Sequence, residues 1–123
     1  MSQPARRLSI LVVDDDPLVL LGTVEMLEDL GHRVAQAKSG PEALKVMEGT
    51  TVDLVLSDQS MPMMTGAELA ARIRLKHADL PIVLVTGYAV LPPDLPAGVS
   101  RLGKPFSHRD LVRVIADICG AIS

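Results

Sequence analysis

The sequence predicts an α/β fold, a five-stranded parallel sheet with helices on both faces. Three observations carry that prediction. Short apolar runs alternate with stretches of helical periodicity along the chain. Each run has the length of a strand buried on both faces. Helix-start signals, a Ser, Thr or Asp with Pro or Glu close behind, fall between the runs.

The first run, Leu8 to Val13 (LSILVV), reads as the first strand. Asp16-Pro17 follows as N-cap and first helical residue. The segment 17–30 carries Leu18, Leu21, Val24, Leu27 and Leu30 at helical spacing, and Gly31 stops it. His32 to Ala37 (HRVAQA) alternates and predicts a shorter, more exposed strand. Ser39-Gly40-Pro41-Glu42 is a capping box opening a helix through about Glu48. Val52 to Ser57 (VDLVLS) is the third strand, with Asp53 expected to face solvent near a sheet end. Thr65-Gly66-Ala67-Glu68 is a second capping box, opening a helix through about His77 with Leu69, Ala70 and Ile73 inward. Pro81 precedes the fourth strand, Ile82 to Thr86. Ser100 to Leu102 forms a brief fifth. Ser107 caps a last helix whose Leu111, Val114, Ile115, Ile118 and Ile122 form one stripe. Five strands in so short a chain predict a flavodoxin-like sheet of order 2-1-3-4-5 built from five strand–helix units.

The 123 residues suit one domain, with a core over about 8–120 and a flexible start at 1–7. Tyr88 and Phe106 are the only aromatic residues, so the core is aliphatic. A net charge of −3 gives no electrostatic reason to expect nucleic acid. The single Cys119 cannot form an internal disulfide and suits a reducing compartment. MSQPARRLSILVVDDD is no secretory signal, because its apolar run is short and breaks into aspartates. No stretch approaches the ~20 apolar residues of a membrane span. A soluble cytoplasmic domain without membrane contact is expected.

The polar residues fall at the carboxyl ends of the strands. Asp14, Asp15 and Asp16 follow the first, Asp58 ends the third, Thr86 ends the fourth and Lys104 follows the fifth. Open α/β sheets bind ligands at that edge, so these distant residues converge on one crevice. Clustered carboxylates repel one another and call for a cation. Oxygen ligands select a hard ion such as Mg²⁺, with Mn²⁺ as the alternative. An ionised Asp beside a metal and Lys104 is a competent nucleophile toward a phosphoryl group. Thr86 has a hydroxyl to hydrogen-bond a phosphoryl oxygen. Plainer roles suit other residues. Asp16 is a helix cap, Met61, Met63 and Met64 are packing residues, and Cys119 is a small core residue. His32, His77 and His108 do not cluster, which argues against zinc.

VVDDDP, VLSDQSMPMMTG, LVTG and GKPF together resemble the four signatures of the response-regulator (CheY-like) receiver domain, in that family's order, from about Leu8 to Ile118. The resemblance implies that Asp58 is the phospho-acceptor and Thr86 the switch hydroxyl, and that Lys104 pairs with the phosphoryl group. It implies that Asp15 ligates Mg²⁺ directly and Asp14 through water, with Asp58 and the backbone carbonyl of Ser60 completing the protein ligands. Pro105 follows Lys104, in the family often through a cis bond. A histidine kinase or a histidine phosphotransfer domain would supply the phosphoryl group. Such domains catalyse their own phosphorylation and slow dephosphorylation, and are not turnover enzymes on small substrates. Phosphorylation would switch the face formed by the fourth helix, fifth strand and last helix.

The chain also departs from the pattern. Gln59 follows the acceptor where the family has an apolar or aromatic residue, and the sequence gives it no role. Gly87 follows Thr86 and lets its N–H approach a phosphoryl group. Arg101 stands where many receivers carry an aromatic switch residue. The segment GYAVLPPDLPAGVSRLG holds Pro92, Pro93 and Pro96, so a short, irregular or mobile fourth helix is expected. These features resemble receivers of hybrid histidine kinases and of α-proteobacterial signalling. Tyr88, two past Thr86, is expected to shield an acyl phosphate from water; an unchanged phosphoryl lifetime in Tyr88→Ala would sink that idea. One competing reading is a pseudo-receiver, a protein-interaction module that signals without phosphorylation. The other is an aspartate-nucleophile phosphatase, which wants an Asp where this chain has Ser60.

Overall fold

The computed structural model describes residues 7–87 and 95–122. Its strands are β1 (Ser9–Val13), β2 (Arg33–Ala37), β3 (Leu54–Asp58), β4 (Ile82–Thr86) and β5 (Val99–Gly103). They form one sheet of order β2-β1-β3-β4-β5, with every neighbouring pair parallel. Among the described residues there are four helices: α1 (Pro17–Asp29), α2 (Gly40–Gly49), α3 (Gly66–Arg74) and α4 (His108–Ile122). The expected flavodoxin-like architecture is therefore observed. The expectation of a short or mobile helix between β4 and β5 falls largely on residues 88–94, outside the described ones. Leu95 to Gly98 are not helical.

Strand side chains point alternately to the two faces, and the core divides accordingly. Leu8, Ile10 and Val12 of the first strand region join Leu54, Leu56, Val83 and Val85 under α1 and α4. Leu11, Val13, Val55, Ile82 and Leu84 pack on the other face against Ala43 of α2 and Leu69, Ala70 and Ile73 of α3. The central strands thus bury both faces, which is why their sequences are apolar without alternation. The edge strands β2 and β5 are more exposed. None of the helices in the described residues is long and apolar enough to cross a membrane.

Several local expectations need correction. The buried side of α1 is Leu20, Thr23, Val24 and Leu27, whereas Leu18 is 80% and Leu21 53% exposed. The run of apolar residues at 18–21 supports two helical phases. Asp16 fixes the start of the helix by accepting from the N–H groups of Leu18 and Val19 at 3.0 and 3.4 Å. The register that follows buries Leu20 and turns Leu18 outward. Asp53 precedes β3 and is half-buried, not solvated. Its carboxylate accepts from Ser9 N–H at 2.9 Å while its own N–H donates to Ser9 carbonyl at 2.7 Å. It therefore ties β3 to the start of β1. At α2, Ser39 Oγ accepts from Glu42 N–H, but the Glu42 carboxylate accepts from Lys38 N–H, so the cap reaches one residue further back. The regular part of α3 ends at Arg74, although His77 N–H still donates to Ile73 carbonyl at 2.8 Å. Met63 is not a packing residue, being 81% exposed.

Two anchors hold the amino-terminal edge of the sheet and the lead into β5. Buried His32 accepts from Leu8 N–H through Nδ1 at 3.1 Å, and its burial pushes its pKa below the usual histidine value. Arg74, at the end of α3, donates from Nε to Ala97 carbonyl and from Nη1 to His77 carbonyl, both at 2.9 Å.

Candidate functional site

Strand alternation builds the first part of the site. Asp14 follows Ile10 and Val12 by two-residue steps, and Asp58 follows Leu54 and Leu56 in the same way. Both carboxylates therefore lean toward the layer of α1 and α4 at the carboxyl edge of adjacent strands. Asp15, exposed, completes a group in which one carboxylate oxygen from each residue lies within 4.8 Å of the other two. Asp14 and Asp58 are buried.

Asp14 is held from both sides along the chain. Its N–H donates to Ala37 carbonyl at 3.1 Å, and its Oδ1 accepts from Asp16 N–H at 2.9 Å. Burial raises its pKa; the hydrogen bond from Asp16 acts against this, and the negative charges of Asp58 and Asp15 add to it while Lys104 opposes. Asp16 is a helix cap, as expected, and not part of the acidic group.

Lys104 Nζ lies 2.8 Å from Asp58 Oδ1. Burial works against the ammonium, but its hydrogen bond to Asp58 and the charges of Asp58, Asp14 and Asp15 outweigh that and hold its pKa above the usual lysine value. Lys104 reaches this place because β5 pairs with β4: Lys104 N–H donates to Thr86 carbonyl at 2.7 Å, continuing the ladder past Thr86 and Gly103. The Lys104–Pro105 peptide is cis. Thr86 is half-buried at the end of β4, and Ser60 lies exposed two residues beyond Asp58. The structure thus brings Asp14, Asp15, Asp58 and Lys104 into direct proximity, with Thr86 and Ser60 on the adjoining strand end and loop.

Sequence reasoning missed Gln59. It is only 7% exposed, beside the central carboxylate. Its N–H donates to Val85 carbonyl at 3.0 Å, its carbonyl accepts from Gly66 N–H at 3.0 Å, and its Oε1 accepts from Ala67 N–H at 2.7 Å. The first N–H groups of a helix have no partner inside it. At α3, Gln59 satisfies two of them, and Thr65 Oγ1 takes the third, from Glu68. Glu68 returns the bond by accepting from Thr65 N–H. Stripping the Gln59 acceptor would leave a poorly hydrated N–H, a cost of ~1–3 kcal/mol. The signal in the sequence was a long polar residue at a strand end seven residues before a helix, too generic to read alone.

The helix can come so close because residue 66 is glycine. A Cβ there would lie 2.6 Å from Asp58 carbonyl and 2.8 Å from Leu84 Cδ2. Ser57 Oγ donates to the same Asp58 carbonyl at 2.9 Å. The backbone of the central carboxylate is therefore packed directly on α3.

Chemically, the arrangement is a compact anionic oxygen cluster with one fixed ammonium on its rim. It suits a hard cation and a tetrahedral oxyanion together, since the carboxylates attract the first and Lys104 the second.

Comparison with known proteins agrees with this geometry. The model of the response regulator receiver domain matches residues 10–116. The chain is 38% identical over 118 residues to the sensor kinase CckA of Brucella abortus, covering 89% of this chain and 12% of that protein. It is 36% identical over 110 residues to the response regulator receiver protein CpdR of the same organism, covering 86% of this chain and 92% of that protein. The solved receiver domain of a Pseudomonas aeruginosa sensor histidine kinase, described with a magnesium ion in its active site cleft, matches with a TM-score of 0.81 and 30% identity over 94% of this chain and 99% of that one. The chain spans 12% and 25% of the first two curated relatives it matches, so it corresponds to one module of those longer proteins. A receiver-domain match across most of the chain, a five-stranded parallel sheet and an aspartate cluster at its carboxyl edge lead to one conclusion: this chain belongs to the response regulator receiver domain family of two-component signalling.

Proposed function

We propose that Asp58 accepts a phosphoryl group from a phospho-histidine of a histidine kinase or a histidine phosphotransfer domain, within a single domain whose core spans about residues 8–120. The observation that carries this reading is the Asp14, Asp15 and Asp58 cluster with Lys104 Nζ 2.8 Å from Asp58 Oδ1. A carboxylate oxygen of Asp58 forms the new O–P bond as the N–P bond to the donor imidazole breaks, and the leaving imidazole keeps or takes up a proton. Lys104 exchanges its partner from the Asp58 carboxylate to a phosphoryl oxygen. Thr86 donates its hydroxyl to a second oxygen, and Gly87 leaves the backbone N–H beside it open.

Magnesium fits the donor set, which is oxygen-only and triply anionic. Asp15, Asp58 and the Ser60 carbonyl would hold it directly and Asp14 through water, with Mn²⁺ as an alternative ion. When bound, the ion supplies charge neutralisation at the phosphoryl oxygens. Burial raises the pKa of Asp14 and the negative charges of Asp58 and Asp15 add to it, which supports this reading because a cation in the cluster would offset that strain.

Incubation with acetyl phosphate and MgCl₂, read by intact mass, tests the proposal. One phosphoryl increment is expected on the wild-type chain and none on Asp58→Asn or in excess EDTA. Equal labelling of Asp58→Asn would overturn the assignment. An absence of labelling in the wild type would instead favour a module that signals without phosphorylation.

A further inference from the structure

Gln59 lies where the acidic site meets α3, and its bonds run to two elements, β4 and α3. Its N–H holds Val85, the residue before Thr86. Its carbonyl and Oε1 hold Gly66 and Ala67 at the start of α3. Thr65 takes the Glu68 N–H from the exposed side, whereas Gln59 takes the Gly66 and Ala67 N–H groups from the side of the site. The consequence is geometric. The backbone from Asp58 to Ser60 carries both the central carboxylate and the proposed carbonyl ligand. It is pinned at its midpoint by Gln59 and pressed at Asp58 against Gly66, where even a methyl group would not fit.

We infer that Gln59 is a positioning residue of the acidic site: by fastening the Asp58–Ser60 backbone to the first turn of α3, it fixes the spacing between the Asp58 carboxylate and the Ser60 carbonyl that a divalent cation must bridge. This rests on the phospho-acceptor reading above and deepens it. A side chain of Gln length is required, because the amide must span from the strand end to Ala67 N–H. An apolar residue at this position would leave Ala67 N–H without its partner and the loop free to shift. The outer partners of metal ligands govern affinity without touching the ion, commonly by ~10-fold or more.

The test compares two losses of a helix cap. Gln59→Met keeps the bulk and removes the acceptor, acting on the side of α3 that faces the site. Thr65→Ala removes a cap of the same helix on the exposed side and leaves Gln59 in place. Magnesium affinity is measured by titration calorimetry with MgCl₂ alone, and protection of the Ala67 amide by hydrogen exchange. Acetyl phosphate labelling of Asp58 is followed on the same samples. The expected result is a loss of about tenfold in magnesium affinity and slower labelling for Gln59→Met, with Ala67 deprotected. Thr65→Ala should lower stability yet keep magnesium affinity within about twofold of wild type, a loss of roughly 0.4 kcal/mol or less. Equal effects of the two variants, or unchanged affinity in Gln59→Met, would reduce Gln59 to a helix cap and overturn the inference. If Gln59→Met does not fold, Gln59→Asn, one carbon–carbon bond short of Ala67, carries the same comparison. A wild-type chain that neither binds magnesium nor labels at Asp58 would overturn the underlying reading itself. Binding and labelling in the wild type with no change in the variant would overturn the role of Gln59 alone.

Discussion

Met63 has a backbone φ of 68°, in the left-handed region, although it is not glycine. It sits at the middle of a tight turn in which Met64 N–H donates to Pro62 carbonyl at 2.7 Å. A side chain in that region costs about 1–2 kcal/mol, and Met63 recovers little by burial. Met63→Gly should therefore stabilise the fold by up to about 1 kcal/mol after the extra flexibility of unfolded glycine is subtracted, which chemical denaturation can read. His32 acts through its protonation state. Its folded pKa lies below 6.5, so the unfolded chain binds a proton first as pH falls. The stability it contributes is present above pH 6.5 and is lost as pH drops through the folded value. Unfolding free energies measured between pH 7 and 5 should fall less steeply in His32→Asn than in the wild type. Asp14 has the opposite sign. Its raised folded pKa marks a penalty at neutral pH that is relieved by protonation as pH falls toward 3.8. Without divalent metal, Asp14→Asn, which can still accept from Asp16 N–H, should melt higher than wild type at pH 7, with the gap closing toward pH 4. Neither His32 nor Gln59 was legible in the sequence, because each acts on backbone N–H groups that only the fold brings near.

At the scale of elements, caps and strand ends were legible because their chemistry is local. Asp16, Ser39, Thr65 and Ser107 each accept a hydrogen bond at a helix start where the sequence puts one. The facing of α1 was not legible, since Leu18, Leu20 and Leu21 satisfy two phases equally, and the Asp16 cap together with contact against β1 and β2 chooses between them. Helix α3 depends on both ends. Gly66→Ala must push Leu84 or the Asp58 backbone aside, and overpacking of that kind costs ~1–3 kcal/mol. A thermal melt of Gly66→Ala should fall by several degrees, the equivalent for a domain of this size. A wild-type melting temperature in that variant would contradict the close packing described for Asp58.

Over the whole molecule, sheet order was legible because alternating strands and helices with right-handed crossovers leave few topologies. Convergence of Asp14, Asp15, Asp58 and Lys104 followed from it, since each lies at a strand's carboxyl end. Magnesium should act on the stability of the entire domain by linkage. At ~100 times its dissociation constant it would add about 2.7 kcal/mol. Differential scanning calorimetry with MgCl₂ against EDTA should register this in the wild type and lose most of it in Asp15→Asn. The tie from Arg74 to Ala97 has a consequence of another kind. Gly98 has φ +80°, and a Cβ there would lie 2.7 Å from the Arg74 guanidinium, so the chain is shaped to admit that side chain. The last strand is thereby moored to α3 downstream of residues 88–94. The strand that delivers Lys104 to the acidic rim thus takes its starting point from a side chain on the opposite layer of the fold.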